Sequence, residues 1–296
     1  MTTGLAASEP QPVPGERLGV QVHCLRHEVA RGLEPALDAI AALGLHAVEM
    51  VSFPGCRGNR WGDFGAATDR PARELGTALR AAGLACPSCM VYGHELVPGR
   101  RQATYQWVSG LGCPRIVLAM LATGTTPTGP APTRGDWQRA FDEFDLLAGD
   151  MRAAGLEPVV HTQPDLWRRI GDYLPADDLP LRARAGDYGI EFDPTGLVIH
   201  GGDALASLRA FGASTCALHL RDGTPPPAPT FYIPAEPLGA GRFDWHACLR
   251  ASRALRPWMF LEMEVADPAT TWAALRTSLD YLRTTGGPLA PAGSAH

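Results

Sequence analysis

The sequence lacks the marks of several protein classes. No run of basic residues stands out and the net charge is −5, so a nucleic-acid backbone is a poorly matched partner. No apolar stretch approaches the ~18–20 residues that a bilayer span needs. The opening MTTGLAASEPQPVPG has no basic start followed by an apolar stretch; it reads as a disordered lead-in, not a secretory leader. The seven cysteines are an odd number. Most fall within apolar segments, so they read as reduced core thiols of a cytoplasmic protein. Cys86 and Cys89 form a C-x-x-C, but neither a second ligand pair nor a helix start accompanies it. The first apolar run is followed by LRHEVARG. The glycine-rich phosphate turn of an open dinucleotide-binding sheet is therefore missing.

What is present is a strict alternation. The chain has 296 residues, 45% of them hydrophobic, enough for one large core. Short apolar runs begin at Leu18 (LGVQVHC), Leu45, Leu84, Pro114, Leu156, Tyr188, Cys216 and Trp258. Helical patterns lie between them, at about 29–43, 69–82, 102–111, 136–154, 165–185, 203–211 and 245–255, and a last one at 268–282 closes the series. Gly44, Gly83 and Gly155 stop three of these helices. Strand-then-helix alternation implies parallel strands with helical crossovers, and eight such units close a barrel. The expectation is an α/β fold, a (β/α)8 TIM barrel over residues 18–284, with tails at 1–17 and 285–296.

In such a barrel, polar residues at the C-terminal strand ends face one pocket. Strand by strand these are His23, Glu49, His94, His161 with Gln163, Asp193, His219 with Arg221, and Glu262 with Glu264. The pairs two apart share one strand face. Ionisable groups inside apolar strands are costly to bury alone. Asp193, His219 and Glu262 on successive strands would compensate one another around a divalent cation, and this mixed ligation suits Mn, Mg, Co, Fe or Zn. Each has a plainer reading: a hydrogen-bonded strand histidine, a turn aspartate before Pro194, a solvent-facing glutamate. His23, Glu49 and His94 divide between pocket wall and structural role. Arg221 is either half of a surface ion pair with Asp222 or a substrate-binding guanidinium beside His219. Trp61, Phe64, Trp167 and Tyr232 are aromatic candidates for the pocket wall.

Several stretches resemble one family. AGLEPVVHTQP, FDPTGLVIHGGDA, LHLRDG, LGAGRFDW and FLEMEVADP are similar to strands five to eight and the intervening loop of the sugar phosphate isomerase/epimerase group of xylose isomerase-like barrels. The likeness runs over about residues 18–283. The resemblance implies a divalent metal held at the positions of His161, Asp193, His219 and Glu262; His161 stands where many members have Glu. It implies proton transfer next to the carbonyl of a keto-sugar or polyol through an enediolate, with Glu264, Glu262 or His161 as catalytic base. His23, Glu49, His94, Gln163 and Arg221 would then contact the substrate. Because epimerases of the group use that Glu to move protons, His161 favours the branch of inosose and dehydroshikimate dehydratases. A metal-free binding protein is a further alternative. A nuclease built on this barrel would need several metals and a basic face. The expected partner is a small carbohydrate-like molecule, with neither nucleic acid nor membrane; a homo-oligomer is compatible with the sequence.

Overall fold

A computed structural model of the chain describes residues 17–57, 64–123, 131–225, 233–265 and 267–285. The two expected tails lie almost wholly outside these residues, as do Trp61 and Tyr232. Eight parallel strands close a barrel in sequence order, β8 pairing back onto β1. They are β1 Leu18–Gln21, β2 Ala47–Val51, β3 Ser88–Val91, β4 Arg115–Leu118, β5 Glu157–His161, β6 Gly189–Phe192, β7 Thr215–Leu220 and β8 Trp258–Leu261. The expected (β/α)8 fold is the fold found.

Local chemistry sets the helix boundaries. Thr133 and Asp136 cap each other at the start of the helix Arg134–Ala153, a reciprocal arrangement that satisfies exposed first-turn amides. Asp203 and Asp244 cap the helices Ala204–Phe211 and Trp245–Ser252. Gly44, Gly83 and Gly155 follow helix ends with φ of 72–80°, where a side chain would be strained. The expected helix over 29–43 is two helices, Arg26–Arg31 and Leu33–Ala42, divided at Gly32. The expected helix over 165–185 reduces to a 3₁₀ turn, Pro164–Trp167, and the helix Pro175–Gly186. Between β6 and its crossover helix lies a short helix, Thr195–His200. Among the described residues, no helix is long and apolar enough to cross a membrane.

The main core lies between the strands and the surrounding helices. A second, small core sits inside the barrel near its lower end, where Phe260 packs against Ala47 and Ala217. Side chains on a strand alternate between faces, so each strand sends a column of every second residue inward. Reading up these columns, β2 gives Ala47 then Glu49, β6 gives Gly189, Glu191 and Asp193, β7 gives Ala217, His219 and Arg221, and β8 gives Phe260, Glu262 and Glu264. On these four strands the bottom layer is apolar and small around one phenylalanine ring, and the positions above it are ionisable. His219 rests edge-on over Phe260, ring centroids 6.5 Å apart. All seven cysteines are free thiols. Cys89 is buried in β3, and its burial pushes the thiol well above its ordinary pKa.

Candidate metal centre

His161, Asp193 and His219 each offer one ligand atom, all within 4.8 Å of one another. His161 Nε2 lies 3.6 Å and His219 Nδ1 3.9 Å from Asp193 Oδ2. Glu262 Oε2 is 2.8 Å from His219 Nδ1. These four residues lie at or near the ends of β5 to β8, and backbone and side-chain groups of the chain fix their second polar atoms.

His161 Nδ1 is 3.2 Å from the carbonyl of Ala119, so Nδ1 carries the proton and Nε2 presents its lone pair. Asp193 Oδ1 accepts from the Thr195 amide at 2.6 Å and from the Thr195 hydroxyl. His219 Nε2 is 2.7 Å from Glu49 Oε2 and donates to it. Glu262 Oε1 accepts from Arg221 Nη1 at 2.7 Å. The remaining atoms, His161 Nε2, Asp193 Oδ2, His219 Nδ1 and Glu262 Oε2, face one another. His219 Nδ1 and Glu262 Oε2 are buried, with no hydrogen-bond partner besides their own 2.8 Å contact. Imidazoles that give their far N–H to a carboxylate or carbonyl are the usual form of metal-ligating histidine. The donor set of two imidazoles and two carboxylates fits a divalent transition ion.

The electrostatics agree with that fit. Burial works against charge on Asp193, but contact with His161, His219 and Arg221 outweighs it and holds the carboxyl well below its usual range. Burial likewise disfavours a charged His219, yet the surrounding carboxylates Glu191, Glu262 and Glu49 push its pKa well up. His161 is raised in the same way, with Asp193 outweighing its burial. A cluster of this charge is one that a divalent cation would suit.

One layer down, Glu49, Glu191 and His219 also bring three ligand atoms together. Here the His219–Glu49 hydrogen bond fills the space directly, so this layer supports the upper one. Ser88 donates to Glu49 Oε1 at 2.7 Å. Glu191 Oε2 is 3.3 Å from His219 Nε2. Burial, then the charge of Glu49, raises the Glu191 carboxyl to about 7. Glu49 is also buried, but His219 and the Ser88 hydroxyl hold it below its ordinary value. Glu191 was not among the residues expected from sequence. Its signal was position: it stands two residues before Asp193 on the same inward face.

Above the candidate ligand layer, Arg221 Nη1 bridges Glu262 and Glu264 Oε2, the latter at 3.2 Å, while Nη2 donates to the Ile233 carbonyl at 2.8 Å. Glu264 Oε1 in turn lies 2.6 Å from His23 Nδ1. Burial raises the Glu264 carboxyl, but the His23 hydrogen bond and Arg221 outweigh it and bring it down to about 2. His23 is on the 3₁₀ turn Val22–Leu25, its backbone amide held by the Gln21 side chain. Gln163 is buried and its Oε1 accepts from the Leu121 amide at 2.6 Å, tying the end of β5 to the loop after β4. His94 is exposed and stacks on Tyr92. Its neighbour Glu95 is the buried residue, accepting from Ser52 Oγ at 2.5 Å and from the Tyr92 amide at 2.9 Å. Phe64 stacks on Phe53 in the core, and Trp167 packs on Phe192 and bonds Ser207.

Asp222 is not at the surface. It is 2% exposed and accepts backbone amides from Gly223, Gly239 and Phe243. The stretch LGAGRFDW is thus fastened to the residue that follows Arg221.

No family model and no curated sequence matches the chain. Its fold does match solved structures over nearly its whole length. A sugar phosphate isomerase/epimerase from Parabacteroides distasonis superposes with a TM-score of 0.71 at 14% identity, covering 96% of each chain. A D-psicose 3-epimerase from Clostridium cellulolyticum, solved with D-tagatose, gives 0.65 at 14% identity, over 91% of this chain and 99% of that one. A probable 3-DHS dehydratase involved in petrobactin synthesis, from Bacillus anthracis, gives 0.64 at 12% identity, over 90% and 98%. In fold, the barrel is similar to these solved structures.

Proposed function

We propose that the chain is a divalent-metal-dependent sugar isomerase or epimerase, moving a proton next to the carbonyl of a keto-sugar or polyol. One observation carries the reading: four side chains on successive strands each have one polar atom fixed by the protein and the other turned toward a common point. His161, Asp193, His219 and Glu262 would hold the ion. Bound there, a divalent cation supplies positive charge against the oxyanion that develops as a proton leaves the neighbouring carbon. Glu49 keeps His219 in the tautomer whose Nδ1 faces the site. Arg221 holds Glu262 by one oxygen and so leaves the other for the ion. The apolar layer of Phe260, Ala47 and Ala217 lies beneath and limits water at the lower end of the barrel. The chain contains no lysine, so a lysine Schiff base to the carbonyl is not among its means.

Elimination of a β-hydroxyl is the second reading, favoured by His161. With an imidazole where many similar barrels carry a carboxylate, the ligand layer holds one fewer proton-accepting oxygen, and elimination needs one base and one acid.

The test is thermal unfolding with and without Mn²⁺, on protein purified without a chelating tag, followed by ¹H NMR of D-fructose, D-tagatose and an inosose in D₂O. At about a hundred times the dissociation constant the ion should add roughly 2.7 kcal/mol of stability. Asp193→Ala should abolish that gain together with any exchange of the C–H beside the carbonyl. A wild type indifferent to Mn²⁺, Co²⁺, Zn²⁺, Fe²⁺ and Mg²⁺ would overturn the proposal in favour of a metal-free binding protein.

A further inference from the structure

Asp193 stands at a corner, where β6 ends and the chain turns into a helix. The next residue, Pro194, has no amide hydrogen and cannot extend the strand ladder. Its φ of −76° and ψ of −5° already belong to the helix Thr195–His200. A carboxylate offered from such a corner takes its position from whatever holds the backbone there. The Thr195 amide and hydroxyl fix one carboxylate oxygen, but not the backbone that carries it.

That backbone is held by Thr162, the residue after His161. The Thr162 amide donates to the Glu191 carbonyl at 2.9 Å, continuing the ladder between β5 and β6. The following rung of a parallel ladder would take the Asp193 amide to the Thr162 carbonyl. The amide donates instead to the Thr162 hydroxyl, at 2.7 Å, and the same hydroxyl donates to the Asp193 carbonyl at 3.2 Å. A hydroxyl has one proton to give and lone pairs with which to accept. Here both capacities serve the two backbone polar groups of a single residue. Thr162 is 1% exposed and Asp193 4%, so bulk water does not compete for either bond.

From this we infer that Thr162 is a positioning residue of the candidate metal centre: its hydroxyl sets the Asp193 backbone against the strand that ends in His161, and so sets the separation of these two ligand positions. The inference deepens the metal-dependent reading and rests on it. The link is short, because His161 and Thr162 are consecutive and His161 Nε2 lies 3.6 Å from Asp193 Oδ2. Valine has nearly the shape of threonine, with a methyl group for the hydroxyl. In Thr162→Val both backbone groups of Asp193 lose a buried partner, and a buried polar group left unmatched is costly. The corner then shifts toward other partners, and Oδ2 shifts with it. Thr162→Ser keeps the hydroxyl and supplies the control.

Calorimetric titration with Mn²⁺ tests this on wild type, Thr162→Val and Thr162→Ser, each at a temperature where it is folded. Thr162→Val should bind Mn²⁺ about 10–100-fold more weakly, the usual effect of removing a group that orients a metal ligand, and Thr162→Ser should stay within about threefold of wild type. A valine variant that binds like wild type overturns the inference and leaves the metal reading intact. A serine variant weakened as much as the valine one also overturns it, because the hydroxyl is then not the operative group. Amide hydrogen exchange of the metal-free wild type, followed by NMR, needs no variant to fold. The Asp193 amide should be protected; exchange as fast as that of an exposed loop amide overturns the clamp. A wild type that binds none of Mn²⁺, Co²⁺, Zn²⁺, Fe²⁺ and Mg²⁺ overturns the metal reading, and this inference with it.

Discussion

Replacing Asp222 by alanine tests whether this residue holds the region beside the site together. Its carboxylate is buried and accepts the amides of Gly223 at 2.9 Å, Gly239 at 2.9 Å and Phe243 at 3.2 Å. Each buried amide left without an acceptor costs roughly 1–3 kcal/mol. Against this stands the relief of removing a buried carboxylate, whose desolvation already raises its own pKa despite the amides around it. Three amides less that relief give an expected loss of about 3–4 kcal/mol in urea unfolding. Asp222→Asn separates charge from geometry. Its single oxygen can serve Gly223 and Phe243, which share Oδ1, but its NH₂ then confronts the Gly239 amide, so about half the loss is expected. Limited proteolysis should show new cleavage within residues 224–243 in the alanine variant. Stability within about 1 kcal/mol of wild type, with an unchanged digest, would refute this account, since single surface changes stay below that size.

The other expectations are smaller in scope. Phe260→Ala should cost about 3–5 kcal/mol in urea unfolding, because the ring fills the lower barrel and its neighbours Ala47 and Ala217 are too small to close the gap; a loss under about 1 kcal/mol would mean that this layer is not packed as described. Arg221→Lys keeps the charge but loses the fork that spans Glu262 and Glu264, and should weaken Mn²⁺ binding by about 10–100-fold in calorimetry; undiminished affinity would show that Arg221 does not support the ligand layer. The Glu95 carboxyl is raised by burial, against hydrogen bonds from Ser52 and Tyr92. Its contribution to stability is therefore complete below the ordinary carboxyl range and is lost as pH rises through the raised value. Relative to wild type, Glu95→Gln should gain stability between pH 4 and pH 8; a difference independent of pH would show that Glu95 is not perturbed in the folded state.

Much of this was legible because a barrel converts sequence period into position. Once the eight alternations were recognised, spacing by two assigned His219 with Arg221 and Glu262 with Glu264 to one interior face. The ends of strands five to eight then gave the ligand candidates in order. Strand membership does not tell which groups meet across the tube. Glu49 and His219 are 170 positions apart, and only closure of the barrel makes them partners. Glu191 escaped notice because a glutamate in an apolar strand looks outward until its face is counted from Asp193. The apolar run that holds β3 continues past the strand toward His94. The strand itself ends at Val91 and a 3₁₀ turn follows, which leaves His94 exposed and Glu95 buried. Asp222 looked like an ordinary surface charge because its partners are backbone amides, which leave no mark in a sequence.

Arg221 and Asp222 are neighbours whose side chains leave the backbone in opposite directions, one into the tube and one toward the outer loop. One dipeptide thus fixes both the ligand layer and the segment that comes back over it. Ile233, Ala235 and Glu236 are tied to Arg221, Glu264 and Asp222 respectively, so the chain is gripped again as soon as it returns. A change at either residue of this dipeptide would therefore loosen the 233–243 segment and the candidate ligand layer together.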